Sequence, residues 1–218
     1  MKEFLYFFYL ACLFFSFLVG FINLKSLKSR QLSLMVPYLF LVFVQEVCIY
    51  FFLKANPGGR TGMVYNIYRP VTVCLFAWVY YHIPINQAAR KSIVWIVSIY
   101  LFTMAFIFLF LKSITVYNSI LSLAAGIAMI LFGILFLFNY FDVDNDREEN
   151  KWMPVIWITI GILLFYPVVN FAFSFYLLIL LKNATIKGIY LYNFIPRILS
   201  ILMYSGFAYA FYLCRKKI

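Results

Sequence analysis

Negative charge is scarce in this chain. Seven Asp and Glu residues stand against eighteen Lys and Arg among 218 residues, and there is a single histidine. Five of the seven acids fall in the stretch 142–149, which leaves Glu46 as the one acid inside an apolar run. The sequence has no HExxH, no His/Asp metal cluster, no GxSxG and no aspartate in an apolar run, and His82 has no acidic neighbour. Hydrolases that work in a membrane need a nucleophile–base pair or metal ligands, so no enzyme is expected. A retinal-type Schiff base is excluded too, because the last apolar run has no lysine before Lys216. Cys12, Cys48, Cys74 and Cys214 lie in apolar runs without CxxC or Cys/His spacing, and they read as small hydrophobes. No cofactor or metal is expected. The acidic stretch opens like a calcium loop, but Arg147 stands where the loop needs glycine and Met153 where it needs glutamate. It reads as a solvated connector and a docking point for a partner.

What the chain has in excess is apolar surface. Its residues are 66% hydrophobic and 22% aromatic, with a mean hydropathy of +0.96, against about 45–50% apolar in ordinary soluble domains. Seven runs approach or exceed the ~20 residues that cross a hydrocarbon core: 4–24, 32–53, 63–83, 92–111, 114–141, 152–181 and 188–214. The expectation is one all-α transmembrane domain over 1–218 with seven spans. The sixth run is long for one helix, and Pro167 inside it predicts a kink. The cut between the fourth and fifth rests on Lys112-Ser113 alone. Leu10-Ala11-Cys12 faintly suggests a lipoprotein cleavage site, but apolar sequence continues past Cys12 and the flanking charges are reversed, so an uncleaved first helix is expected.

The net charge of +11 sits at the ends of the runs, which points to topology and lipid headgroups rather than to nucleic acid. Ten basic residues fall on one side (Lys25, Lys28, Arg30, Arg90, Lys91, Arg147, Lys151, Arg215, Lys216, Lys217) and six on the other (Lys2, Lys54, Arg60, Lys112, Lys182, Lys187). The positive-inside rule then sets the N-terminus outside and the C-terminus in the cytoplasm.

The charges that do enter the apolar runs are patterned. Glu46 and Arg69 flank the turn Asn56-Pro57-Gly58-Gly59, so a helical hairpin sets both at one depth, about 9–12 Å in from the turn. The second, fourth and sixth runs end in Phe52-Leu53-Lys54, Phe110-Leu111-Lys112 and Leu180-Leu181-Lys182. The third, fifth and seventh then open with Tyr65-Asn66, Tyr117-Asn118 and Tyr192-Asn193. This is one leading helix followed by three repeated hairpins. Arg197, beside Pro196, echoes Arg69 beside Pro70, but without an acid of its own.

Gln45, Glu46, Asn66, Arg69, Asn118, Asn170, Asn193 and Arg197 all fall in the outer half of the spans. Intramembrane polar groups face a bundle interior or a wet cavity, and an arginine fork matches a carboxylate or phosphate. These eight residues are the candidate ligand site, for a small anion or a lipid headgroup. The structural alternative is that they join helices, at ~0.6 kcal/mol per hydrogen bond, with the tyrosines forming an interfacial belt.

At the Tyr-Asn repeat and the charged hairpin, the chain resembles a group of small bacterial seven-helix membrane proteins with no established function. It is more distantly similar to seven-helix sensory modules fused to bacterial signalling enzymes. The resemblance implies a multi-pass protein of the bacterial inner membrane, either a receptor or an accessory sensor that signals through a separate cytoplasmic protein. A small transporter or oligomeric channel is one alternative, and a structural or defence-type membrane protein another.

Overall fold

A computed structural model describes residues 2–56, 58–83, 85–111, 113–141, 149–175, 181–186 and 189–215. The elements are α1 (Lys2–Ile22), α2 (Leu24–Lys28), α3 (Met35–Ala55), α4 (Gly62–His82), α5 (Gln87–Phe106), α6 (Ser119–Phe141), α7 (Glu149–Ser174), β1 (Thr185–Ile186), β2 (Ile189–Tyr190) and α8 (Leu191–Leu213). Six helices are long and apolar enough to cross a membrane, namely α1, α3, α5 with the turn that follows it, α6, α7 and α8. Their outward surfaces are correspondingly apolar, with Phe102, Leu109 and Phe138 more than 70% exposed. Rings and aliphatic chains in that number need lipid rather than water around them. The protein is therefore helical and membrane-embedded. The third run forms α4, of the same length as α3, but Asn66, Arg69 and Thr72 hold its hydropathy below that of the other six.

Several boundaries differ from those read off the sequence. Residues 114–118 are not helical. After α5 the backbone widens into a π-helical turn, Ile107–Leu111, and the chain crosses a loop before α6 begins at Ser119. An apolar run is ambiguous at its ends, and here the Asn66 and Arg69 side chains of α4 hydrogen-bond the loop backbone in place of helix continuation. α7, formed by the sixth run, ends at Ser174 and runs continuously through Pro154 and Pro167, while 176–180 of that run lie outside the described residues. A two-stranded antiparallel hairpin precedes α8 in place of its first predicted turn. The acidic connector, read above for calcium or partner docking, lies at 142–148, outside the described residues.

The chain divides into two compact units, Met1–Phe43 with Asn145–Ile218, and Val44–Asp144. In the first, α8 packs along both α7 and α1. Gly20 lets the Phe211 ring and Val36 approach within 3.0 Å of where a Cβ would stand. Tyr6 meets Arg197, Tyr9 meets Tyr204 and Gly20 meets Phe211, so α1 and α8 run parallel. Trp157 meets Tyr209 and Gly161 meets Met203, so α7 and α8 are antiparallel.

In the second unit α4, α5 and α6 pack on one another. Ala89, Ile93, Tyr100 and Ile107 give α5 a single buried stripe. On α6, Ala125, Gly126, Ala128 and Gly133 are buried, small residues of the kind that let membrane helices approach closely. Tyr80 of α4 lies against Phe132 and Phe136 of α6, while Gly62 lies against the 115–117 backbone, so α4 and α6 run parallel.

Candidate functional site

The densest polar contacts in the second unit lie where the α5–α6 loop crosses the start of α4. Gly62, Asn66, Arg69, Val73, Phe76 and Tyr80 recur at spacings of three and four, and so form one face of α4. The deeper part of that face, Val73, Phe76 and Tyr80, is ring and aliphatic packing. Its first two turns are polar.

Asn66 is 1% exposed and its amide is fully used. Its Nδ2 donates to the carbonyl oxygens of Ile114 and Val116, both at 2.8 Å, and its Oδ1 accepts from the Asn118 N–H at 3.3 Å. Asn118, with no exposed surface, is the N-cap of α6 rather than a residue inside it. Its Oδ1 accepts from the N–H groups of Ile120 and Leu121, at 3.0 and 3.2 Å. Arg69 donates from Nη1 to the Asn118 carbonyl at 3.2 Å, and its guanidinium carbon lies over the Tyr117 ring, 4.4 Å from the centroid. Tyr65 meets Tyr117 edge-on. The first two Tyr-Asn pairs therefore contact each other, tyrosine on tyrosine and asparagine on asparagine.

Gln45 and Glu46 sit half-buried on α3, and the Gln45 Nε2 is buried with no described partner. Glu46 has an interaction of its own. Among the described residues, the contacts of Arg69 run to Tyr117 and Asn118.

The other candidates belong to the first unit. Arg197 repeats the geometry of Arg69, with its guanidinium 5.3 Å from the Tyr6 ring of α1. Asn170 is half-buried on α7 and engaged, and Asn193 is exposed in the first turn of α8. The structure thus gathers Asn66, Arg69 and Asn118 into one contact set, and leaves Asn193 on a surface.

Comparison of the chain with protein-family models, curated proteins and solved structures returns no match.

Two tyrosines of the second unit stand out only in the structure. Tyr117 was counted in a repeat but not as the platform for Arg69. Tyr100, 3% exposed with its hydroxyl unpartnered, was not singled out at all. The signal was present, since Tyr100 lies seven residues after Ile93 and seven before Ile107 on the buried stripe of α5. Elsewhere, His82 shares a hydrogen bond of 2.9 Å with the Trp78 carbonyl and stacks near that ring. Among the described residues no group of His, Cys, Asp and Glu could hold a metal ion.

Proposed function

We propose that this protein is a seven-span membrane receptor or accessory sensor, not an enzyme, whose outer arginines bind a small anionic or lipid-like ligand. It passes the signal to a separate cytoplasmic protein. The observation that carries this reading is the setting of Arg69. Its guanidinium carbon lies over the Tyr117 ring, and one of its five N–H donors goes to Asn118. The remaining donors suit a carboxylate or phosphate. Arg197 over Tyr6 is the same device in the other unit. Fully buried Tyr80, Phe76 and Phe132 fill the α4–α6 contact beyond it, which favours binding over conduction.

The parallel run of α1 and α8 supports seven spans. A helix that crosses in the same direction as the first holds an odd place among the crossings, and α8 does so if α4 crosses with the other six. Ten basic residues against six then orient the N-terminus outward. In a background without the native cysteines, Gly58→Cys and Asn86→Cys should label from opposite faces of sealed vesicles. Labelling from one face would remove α4 as a span.

Native mass spectrometry on the purified chain tests the ligand. Wild type is expected to carry an anionic species that Arg69→Ala loses. A wild-type spectrum free of any such species would overturn the binding function.

A further inference from the structure

We infer that Arg69, Tyr100 and Asn118 form a site for a small acceptor-only anion on the inner flank of the Arg69 guanidinium. This deepens the proposed ligand reading and rests on Arg69 being a ligand group. Three observations carry it. The Asn118 Nδ2 and the Tyr100 hydroxyl are both buried without a hydrogen-bond partner, on residues 0% and 3% exposed. The orientation of the Asn118 amide is set by its cap, because a flipped amide would point its NH2 at two N–H donors, those of Ile120 and Leu121. The Nδ2 is therefore a donor turned away from the helix it caps.

Arg69 lies beside that residue, bonded to its carbonyl oxygen, and Tyr100 stands on the buried stripe of α5, which packs against both α4 and α6. The three groups come from α4, α5 and α6, which pack together. Two of them can only donate, and the tyrosine can do either. A water there would need acceptors for its own two hydrogens and would find the tyrosine oxygen at most. An anion needs none. It also meets the positive charge of Arg69 and the N-terminal end of the 23-residue helix α6. The shared chemistry is a single anionic acceptor, either a free halide or the carboxylate of the bound ligand.

The test uses the full chain in detergent at constant ionic strength, with sodium gluconate replaced stepwise by sodium chloride in one arm and by sodium formate in another. Wild type is expected to show a saturable rise in melting temperature. Chloride alone identifies a halide, and formate identifies a carboxylate. Tyr100→Phe should raise the half-maximal concentration about tenfold, the worth of one charge-assisted hydrogen bond. Asn118→Asp keeps the capping oxygen and supplies a fixed anion, so the dependence on either salt should vanish. A wild type indifferent to both salts overturns the site, as does a Tyr100→Phe midpoint equal to that of wild type. A saturable salt response without any ligand by native mass spectrometry would remove the outer ligand and leave this site standing. The reverse result would remove this site alone.

Discussion

Asn66→Ala is expected to be among the most damaging single polar substitutions in the second unit. The methyl group leaves the carbonyl oxygens of Ile114 and Val116 and the Asn118 N–H without the partner they share. Ile114 and Val116 are exposed, so water or headgroups recover part of that loss. Asn118 is buried and recovers none. At ~1 kcal/mol for each of three hydrogen bonds, the loss is about 3 kcal/mol, or roughly 6–12 °C in melting temperature for a chain of this length. Asn66→Asp keeps the oxygen that accepts from Asn118 but sets an acceptor-only, charged oxygen against both carbonyl oxygens in a buried site, so it should be at least as destabilising as alanine. Limited proteolysis in the 113–118 loop should accelerate in the same order. A melting temperature for Asn66→Ala within ~1 °C of wild type would mean that the clasp contributes nothing.

That clasp also marks how far the sequence could be read. The helical, membrane-embedded class followed from seven apolar runs, because lipid demands length and hydrophobicity and both are countable. The pairing of the first two Tyr-Asn motifs was implicit in their repetition, although repetition alone does not say that the copies touch. The loop at 113–118 was not legible. Ile114 and Val116 are as apolar as any helical residue, and only the Asn66 amide, 48 and 50 residues away, explains why they are not helical. Long-range capture of a backbone leaves no local periodicity to detect.

The charges were legible in kind but not in partner. Arg69 was expected opposite Glu46, since matched depth in a hairpin puts an acid and a base together. Its described contacts are instead a ring and a carbonyl, both on the α5–α6 loop. An intramembrane arginine can be held by backbone carbonyls as well as by an acid, and the Asn118 carbonyl takes one of its N–H groups. Hairpin geometry predicted the depth of Arg69 and could not choose among the neighbours at that depth.

Gly62→Ala is the sharper probe of the same region, because it adds one carbon and removes no hydrogen-bonding group. A Cβ at Gly62 would run into the Tyr117 backbone nitrogen, and would stand 2.8 Å from the Thr115 oxygen and 3.0 Å from the Val116 carbonyl carbon. These are backbone atoms, which cannot swing aside as a side chain would. Alanine is the better helix former by about 1 kcal/mol in a helix interior, but position 62 opens α4, where that gain is smallest. Overpacking costs ~1–3 kcal/mol, so the steric effect wins and the loop must move off α4. Moving it breaks the 2.8 Å bonds from Asn66. The two substitutions therefore act through one contact, and the double variant Gly62→Ala/Asn66→Ala should be little less stable than Asn66→Ala alone. Gly206→Ala is the control, since its Cβ would meet only the Trp157 oxygen at 3.8 Å and should leave stability unchanged or higher. Full additivity in the cycle would show that Gly62 and Asn66 hold the loop independently, and a Gly62→Ala variant as stable as wild type would show that the loop is not seated on α4 at all.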